Sequence, residues 1–246
     1  MAWTESKIIH RQNWAPGLIT LGIDAVAAPY APGQFVNLAL DLQGERVKRS
    51  YSLASAPGQP SEFYLTQVAD GALTPALFEL KLGDGVWIDD RPLGFFTLDY
   101  VPPTQNLWLL ATGTGLGPFV AMLRSSTVWE RFSRIVLVHG VRKVEHLGYR
   151  AELAALARLH PGQFTYVPLV TRESAPPGAL FGRLPQLLAE GELEQCVGLT
   201  MDPASTHVLI CGNPAMIADV QAVLGQRGLQ KHRPRKPGHV TIESYW

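Results

Sequence analysis

The chain has 246 residues, enough for two domains of ordinary size, and its 21 basic and 21 acidic residues give a formal net charge of zero. No stretch is apolar for long enough to cross a bilayer, and the first residues, MAWTESKIIHRQNW, lack the layout of a signal peptide, so we expect a cytoplasmic protein. The two cysteines, Cys196 and Cys211, are too few for a disulfide framework or for a four-thiolate iron–sulfur cluster within this chain.

The first hundred residues consist of short apolar runs broken by proline and glycine. This rhythm predicts a small antiparallel β-barrel or sandwich over residues 1–100. The predicted strands are LITLGIDA, GQFVNLALDL, RSYSLAS, EFYLTQVA and GVWIDD, and the one predicted helix is TPALFELKLGDG. The stretch YVPPTQ then reads as a linker.

Over residues 106–246, continuous apolar runs alternate with helical patterns. This alternation predicts a doubly wound α/β domain, in which helices cover both faces of a parallel sheet. The predicted strands are NLWLLATG, RIVLVHGV, FTYVPLVT and THVLICG, and the predicted helices are PFVAMLRSSTVW, YRAELAALARL, LPQLLAEGEL and PAMIADVQAVLGQRG. Because ligands bind at the carboxyl ends of such strands, we expect the site in the loops after Ala111, His139, Val170 and Cys211.

A glycine-rich loop, ATGTGLGPF, follows the first strand of this second domain. Gly113, Gly115 and Gly117 would let backbone N–H groups approach a phosphate at the start of a helix. The spacing is G-x-G-x-G rather than the usual G-x-G-x-x-G, so a plain strand-to-helix turn remains an alternative for this stretch alone.

Three arginines follow predicted strands or loops of the same domain: Arg142, Arg172 and Arg183. An NAD-binding fold would carry an acidic residue near the end of its second strand, to bind the adenosine ribose. Here that strand is followed by VRK, with no acid. Guanidinium groups suit a 2′-phosphate through bidentate hydrogen bonds, so this pattern favours NADP over NAD.

Two further stretches carry side chains suited to cofactors. In VKRSYSLAS, Arg49 and Tyr51 alternate with Ser50 and Ser52, and on a strand such an alternation places a phosphate-binding cation beside an aromatic ring. In VLICGNPAM, Cys211 ends a predicted strand and Asn213-Pro214 begins a helix. Taken singly, each stretch is better explained without a cofactor, the first as an ordinary half-buried strand and the second as a buried cysteine that acts as a small apolar residue.

Taken in order, the R-x-Y-S stretch, the GTGLGP loop, the CGNP turn and the aromatic terminus resemble the ferredoxin–NADP⁺ reductase family. The stretches GNPAM and GHVTIESYW are most similar to the short bacterial flavodoxin/ferredoxin–NADP⁺ reductases, and the resemblance covers nearly the whole chain. It implies an FAD-dependent oxidoreductase with FAD in the barrel domain and NADP(H) in the α/β domain. Hydride would pass between nicotinamide C4 and flavin N5, and single electrons between the flavin and ferredoxin or flavodoxin.

The resemblance also implies site residues. For FAD these are Arg49, Ser50, Tyr51, Ser52, Leu65, Ala72, Leu73, Thr74, Thr112, Thr114, Tyr245 and Trp246. For NADP(H) they are Gly113, Gly115, Arg142, Thr171, Arg172, Arg183, Gly212 and Asn213. The residues implied at the site of hydride transfer are Ser52, Cys211 and Glu243, and no metal ligands are implied.

Individual roles follow for several of these residues. Tyr51 would stack on the isoalloxazine, Arg49 would bind the FAD pyrophosphate and Ser52 would bond near N5. Tyr245 would cover the opposite face of the flavin and Trp246 the adenine, so that the C-terminal tail returns to the flavin. Nicotinamide would then have to displace Tyr245, which makes the tail a candidate gate.

The charge distribution fits an acidic electron carrier as the partner. Residues 1–100 carry seven basic and eleven acidic side chains, whereas residues 101–246 carry fourteen and ten. The basic excess peaks in KHRPRK, residues 231–236, and Arg91 could add to a docking surface. A plain solvated surface is the alternative for this run. We expect a monomer that binds neither nucleic acid nor a membrane.

Other functions remain open at this stage. An NADH-dependent reductase of the same fold could serve an oxygenase or a cytochrome, although the three arginines argue against NADH. A free-flavin reductase would not need a tail that covers its own FAD. A non-catalytic flavin-binding sensor would bind FAD without turnover.

Overall fold

The computed structural model describes residues 3–244, apart from the side chain of Asp90. The chain divides into two compact units. The first unit contains the chain up to Leu98 together with Gly117–Thr127, and the second contains Asp99–Leu116 together with the chain from Val128 onward. The domain boundaries expected from the sequence, 1–100 and 106–246, stay a prediction.

The first unit is built on a six-stranded antiparallel sheet with the strand order β4-β3-β6-β1-β2-β5. Its strands are β1 (Trp3–Ala15), β2 (Leu18–Ile23), β3 (Phe35–Leu42), β4 (Glu45–Ser52), β5 (Glu62–Thr66) and β6 (Gly85–Leu93). The five predicted strands are confirmed. The sequence analysis missed β1, which lies between β6 and β2.

The two edge strands of this sheet meet, as expected for a barrel. The N–H of Ala54, just after β4, donates to the carbonyl of Glu62 at the start of β5, with an N···O distance of 2.8 Å. Apolar side chains from all six strands fill the interior, among them the fully buried Val36 and Phe63. Burial of this apolar surface is the main force that stabilises the unit.

Among the described residues, the first unit contains the short helices α1 (Thr74–Glu79) and α2 (Gly117–Leu123), and α3 (Ser126–Arg131) begins in it and continues into the second unit. The sequence predicted a single helix where α2 and α3 lie, and this was wrong. The hydroxyl of Ser125 donates to the carbonyl of Met122 at 2.7 Å, a local bond that competes with helix continuation. Arg124 directly follows α2. Its guanidinium donates to the carbonyl of Ala54 at 3.0 Å and forms an ion pair with Glu62.

The second unit contains a six-stranded parallel sheet with the order β10-β9-β8-β7-β11-β12. Its strands are β7 (Asn106–Thr112), β8 (Arg134–Val141), β9 (Phe164–Val170), β10 (Leu180–Phe181), β11 (Thr206–Gly212) and β12 (Val240–Ser244). The four predicted strands are confirmed, whereas β10 and β12 were not predicted. Trp108 and the other buried residues of the central strands form the core.

Four helices pack in this unit: α4 (Arg150–Leu159), α5 (Leu184–Ala189), α6 (Glu192–Val197) and α7 (Pro214–Gln226). The sequence predicted one helix over LPQLLAEGEL, but the chain forms α5 and α6 instead. Gly191 separates them at φ +79°, a left-handed conformation that ends a helix. The strand and helix order is that of a doubly wound α/β unit.

Within residues 3–244, no helix is long and apolar enough to cross a membrane. The same residues contain no group of three or more histidine, cysteine, aspartate or glutamate side chains that could hold a metal ion.

Candidate functional site

The glycine-rich loop leaves the carboxyl end of β7 as a single 3₁₀ turn over Gly113–Leu116. Gly113 has φ +55°, in the left-handed region that glycine adopts most readily. A Cβ atom added to Gly115 would lie 2.4 Å from the carbonyl oxygen of Cys211. Only glycine therefore fits at position 115, because the loop packs directly on the end of β11.

The turn after β11 is fitted to the same loop. Gly212 has φ +139°, and a Cβ atom there would lie 2.2 Å from Oγ1 of Thr112. The N–H of Asn213 donates to that hydroxyl oxygen at 3.0 Å. The ends of β7 and β11 are thus joined side by side.

Asn213 also begins α7. Its Oδ1 accepts hydrogen bonds from the N–H groups of Ala215 (2.9 Å) and Met216 (3.3 Å), and Pro214 follows it at the first position of the helix. This is the cap that the sequence predicted. A 13-residue helix that begins beside a glycine-rich loop provides a favourable environment for an anion.

A buried histidine, His139 on β8, contacts the loop from within the unit. Its Nε2 is 3.1 Å from the carbonyl oxygen of Gly113. Burial lowers the pKa of His139 to about 4, with a smaller opposite effect from that hydrogen bond. The sequence analysis named this residue only as the end of a strand and missed its contact.

The arginine loops lie side by side at the carboxyl ends of β8, β9 and β10. The N–H of Arg172 donates to the carbonyl of Arg142 at 2.9 Å, and the N–H of Gly182 donates to the carbonyl of Val170 at 3.1 Å. The N–H and hydroxyl of Thr171 both donate to the carbonyl of Val141, each at 3.2 Å. The side chains of Arg142, Arg172 and Arg183 are all exposed. The fold therefore brings together the loops that carry three cations, the first and last of which are 41 residues apart along the chain.

In the first unit, Tyr51 and its neighbours on β4 form a second candidate surface. Arg49 is exposed and donates to the carbonyl of Lys48 at 2.7 Å, and Ser50 donates to Oδ1 of Asn37 at 2.8 Å. The Tyr51 hydroxyl is buried and has no hydrogen-bond partner within residues 3–244. Burial raises the pKa of this hydroxyl to about 12. An orphaned hydroxyl on a half-buried ring fits a flat, polar cofactor that supplies the missing partner.

The hydroxyl of Thr74 joins the two ends of the loop before α1. Oγ1 of Thr74 accepts from the N–H of Val68 at 3.0 Å and donates to its carbonyl at 3.2 Å. Leu73 is buried beside it, whereas Ala72 is exposed, and Leu65 on β5 is buried in the barrel core. The backbone at positions 72 and 73 is thus held in place, and the Thr74 hydroxyl already serves the loop itself.

Comparison with known proteins assigns most of the chain to two domain families. Residues 19–97 match the oxidoreductase FAD-binding domain family, and residues 109–222 match the oxidoreductase NAD-binding domain family. The flavodoxin/ferredoxin–NADP reductase of Escherichia coli (strain K12) is 42% identical over 246 residues, which cover 99% of each chain. The chain belongs to the flavodoxin/ferredoxin–NADP reductase family.

Two other relatives support this membership. The ferredoxin–NADP reductase of Pseudomonas aeruginosa is 36% identical, over 98% of this chain and 92% of the relative. The crystal structure of a ferredoxin NADP⁺ reductase from Neisseria gonorrhoeae with bound FAD and NADP has a TM-score of 0.93 and 32% identity, and the match covers 98% of both chains. The fold class predicted from the sequence, a β-barrel followed by a doubly wound α/β domain, is confirmed.

Within this reductase fold, the residues expected at the site of hydride transfer occupy definite positions. Cys211 and Glu243 are paired on the adjacent parallel strands β11 and β12, with Cys211 fully buried and Glu243 half-buried. Ser52 is the buried last residue of β4 in the first unit. Thr112 and Thr114 lie in the second unit, at the glycine-rich loop. Tyr245 and Trp246 lie outside the described residues.

One exposed aromatic near the arginines was also missed. Phe181 ends β10 opposite Val170 and is 62% exposed, unusual for a large apolar side chain on a strand. Gly182 separates it from Arg183 with φ +145°, a conformation that few other residues adopt. The sequence LFGR contained this aromatic, but nothing in the pattern marked it as exposed.

Proposed function

We propose that the chain is an FAD-dependent reductase that exchanges electrons between NADPH and a ferredoxin or flavodoxin. The match to the Escherichia coli flavodoxin/ferredoxin–NADP reductase carries this proposal, because it spans both units of the chain at 42% identity. FAD, when bound, accepts a hydride and releases electrons singly. The residues of the chain bind and orient the two nucleotides.

The first unit would hold FAD. Tyr51 offers its ring for stacking, and its orphaned hydroxyl offers a donor to a ribityl or phosphate oxygen. Arg49 supplies an exposed cation for the pyrophosphate, assisted by the held backbone of Ala72 and Leu73. The division of labour follows the predicted domains, with FAD on residues 1–100 and NADP(H) on residues 106–246.

The second unit would hold NADP(H). The glycine-rich loop and the turn at Gly212 and Asn213 would bind the pyrophosphate and the nicotinamide end, and Thr171 would lie with the arginines at the adenosine end. Arg142, Arg172 and Arg183 provide exposed guanidinium groups for a 2′-phosphate. Phe181, exposed beside them, provides an apolar face for the adenine ring.

At the reacting atoms, we assign three residues of the chain. Ser52 would donate its hydroxyl near flavin N5, Cys211 would supply a small apolar wall beside the nicotinamide, and Glu243 on the neighbouring strand would orient it. Tyr245 would cover the flavin as a gate, a role that deletion of Tyr245 and Trp246 tests. Unchanged nicotinamide affinity, hydride-transfer rate and coenzyme preference after this deletion would exclude the gate.

The acidic electron carrier would dock on the basic hairpin, which we define as residues 231–236. The hairpin is closed by hydrogen bonds between the backbones of Arg233 and Lys236 (3.1 and 2.9 Å), and His232 donates to the carbonyl of Val240 at 2.7 Å. Its four cationic side chains, Lys231, Arg233, Arg235 and Lys236, are all exposed. A fixed cluster of like charge steers an oppositely charged partner. We further propose a cytoplasmic monomer.

The deciding experiment is anaerobic reduction of the FAD-loaded protein by NADPH and, separately, by NADH, followed as flavin bleaching in a stopped-flow instrument. We expect fast bleaching with NADPH and slow bleaching with NADH. Equal or faster reduction by NADH would favour an NADH-dependent reductase of the same fold. A protein that cannot be reconstituted with FAD would contradict the whole proposal.

A further inference from the structure

A buried imidazole on β8 is hydrogen-bonded to the first residue of the glycine-rich loop. The ring of His139 is 0% exposed, and its Nε2 is 3.1 Å from the carbonyl oxygen of Gly113. Because a carbonyl oxygen only accepts hydrogen bonds, Nε2 must carry the hydrogen. Nδ1 is then the unprotonated nitrogen of a neutral ring.

This arrangement is costly for folding. Nδ1 of His139 is buried and has no hydrogen-bond partner in the described part of the chain. An apolar side chain at this position would avoid that penalty, so an imidazole here calls for an explanation other than core packing. The ring is uncharged at neutral pH, because burial lowers the pKa of His139 to about 4. Its contribution is therefore the direction of one hydrogen bond rather than a positive charge.

The hydrogen bond from His139 orients the whole peptide group between Gly113 and Thr114, not only its carbonyl. A trans peptide is planar, so the carbonyl of Gly113 and the N–H of Thr114 belong to one rigid plane and point in opposite directions. With the carbonyl directed at His139, the N–H of Thr114 points in the opposite direction within that plane, away from His139. Gly113, at φ +55°, has no side chain to restrict the rotation of this peptide.

The rest of the loop is held by other contacts, whereas the Gly113–Thr114 peptide is held by the bond from His139 and by its place at the start of the 3₁₀ turn over Gly113–Leu116. Gly115 is packed against the carbonyl of Cys211, and Thr112 is hydrogen-bonded to Asn213. Neither contact involves the peptide between Gly113 and Thr114.

We propose that His139 is a positioning residue for the nicotinamide nucleotide, which acts through the Gly113–Thr114 peptide to direct the N–H of Thr114 at the bound dinucleotide. This inference rests on the proposed function of the loop as the NADP(H) site. In this proposal the buried His139 contributes to recognition of NADP(H) without touching the ligand.

The test compares three variants by calorimetric titration with NADP⁺ and with 2′,5′-ADP, which lacks the nicotinamide nucleotide. His139→Met removes the donor, whereas His139→Gln keeps an amide N–H. His207→Met is the matched control, because His207 is a second buried imidazole of the same unit, bonded through Nε2 to Oγ1 of Thr241 at 2.9 Å, away from the loop.

We expect His139→Met to raise the Kd for NADP⁺ about tenfold, the effect of one misdirected hydrogen bond to a charged ligand, and to raise the Kd for 2′,5′-ADP, which keeps one phosphate of the pyrophosphate, by a clearly smaller factor. His139→Gln should recover most of the affinity, and His207→Met should lower thermal stability without changing either Kd. An unchanged Kd for NADP⁺ in a folded His139→Met variant would overturn the proposal. An equal rise for both ligands, or in the His207→Met control, would also overturn it.

A spectroscopic measurement tests the same hydrogen bond in the unmodified protein, in case His139→Met does not fold. ¹⁵N NMR of the imidazoles should show His139 neutral, protonated at Nε2 and not at Nδ1, throughout pH 6–8. A cationic ring or the opposite tautomer would remove the basis of the proposal. Failure of the proposed function would look different, because the unmodified protein would then bind neither NADP⁺ nor 2′,5′-ADP.

Discussion

The N–H of Asn213 donates to the hydroxyl of Thr112, and the same oxygen lies 2.2 Å from the position that a Cβ atom of residue 212 would take. The ends of β7 and β11 are therefore fitted to each other so closely that residue 212 must be glycine. The two sequence motifs that meet here, GTGLGP and CGNP, form one structural unit at the carboxyl ends of two interior strands.

Substitution at Gly212 should be among the most damaging changes in the second unit. Gly212→Ala introduces a Cβ clash with Thr112 in addition to an unfavourable backbone angle, and should lower the free energy of unfolding by roughly 3 kcal/mol. Gly162→Ala is the control, because Gly162 has φ +77° but no neighbour within 4 Å, and its cost should be about 1 kcal/mol. Urea unfolding measures both, and equal costs would contradict the close fit.

The arginine loops should decide coenzyme preference. Arg183→Ala would remove the charged hydrogen bond that we propose to the 2′-phosphate, and should raise the KM for NADPH roughly tenfold or more, with the KM for NADH unchanged. Arg158→Ala, which changes an exposed arginine on α4, is the matched control and should alter neither constant. Steady-state kinetics with ferricyanide as acceptor gives all four values. A parallel rise for NADH would argue against recognition of the 2′-phosphate.

The orphaned hydroxyl of Tyr51 should have opposite effects on the apoprotein and on FAD binding. Tyr51→Phe removes a buried group without a partner, so the apoprotein should gain about 1 kcal/mol in free energy of unfolding. The same variant should bind FAD about fivefold more weakly, a loss of about 1 kcal/mol, because the cofactor loses a hydrogen bond. Fluorescence titration of the apoprotein with FAD measures the affinity.

Tyr166→Phe is the control for that experiment. The Tyr166 hydroxyl on β9 is likewise buried without a hydrogen-bond partner within residues 3–244, but it belongs to the second unit. This variant should also be stabilised, with FAD affinity unchanged. If Tyr51→Phe and Tyr166→Phe bind FAD equally well, the Tyr51 hydroxyl makes no contact with the cofactor.

The basic hairpin should affect the protein partner and not the coenzyme. Lys236→Glu should slow electron transfer to an acidic ferredoxin or flavodoxin by about three- to tenfold at low salt, and added salt should shrink the difference. Turnover of NADPH with ferricyanide should stay unchanged. Arg158→Glu, an equal change of charge elsewhere on the same unit, should have little effect. Equal slowing by both variants would indicate a response to net charge rather than a docking site.

The two buried histidines should make the protein less stable as the pH falls below neutrality. The pKa of His139 is lowered to about 4 by burial, and that of His207 to about 3 by burial and then by the charges of His232, His239 and Arg131. Between the ordinary pKa near 6.5 and these values, the unfolded chain binds protons that the folded chain does not. Each histidine should therefore lower the free energy of unfolding by up to about 1.4 kcal/mol for each pH unit below 6.5.

The measurement is urea unfolding between pH 7 and pH 5 for the unmodified protein and for His207→Met. The variant loses the contact with Thr241 at every pH, but its stability should decline less steeply because one titrating group is missing. Parallel curves would show that His207 does not take part in this pH dependence.

Most strands could be predicted because their apolar character is strong. β1 could not, since within Trp3–Ala15 only Ser6 and Ile8 are buried, and the strand shows no clear alternation. The helix pairs α2 with α3 and α5 with α6 were read as single helices because apolar periodicity continues across them. The breaks depend on the hydroxyl of Ser125 and on the backbone angle at Gly191. Neither feature interrupts the apolar periodicity from which helices are predicted.

The candidate site was partly predictable for a topological reason. Residues that follow parallel strands gather at one edge, so the glycine-rich loop, the CGNP turn and the arginines could be placed together from their order in the chain. The role of His139 could not be predicted, because the sequence of an apolar strand does not show which group its single histidine contacts, here the carbonyl of Gly113. Phe181 was likewise hidden, since its exposure depends on a strand only two residues long.

That short strand has a consequence for solubility. An edge strand exposes unpaired N–H and C=O groups to which another chain can add, and long edges of this kind promote aggregation. β10 ends the parallel sheet after Leu180 and Phe181, where Gly182 turns the chain away. At this edge, β10 is too short to pair with a strand from another chain, although the side chain of Phe181 is exposed there.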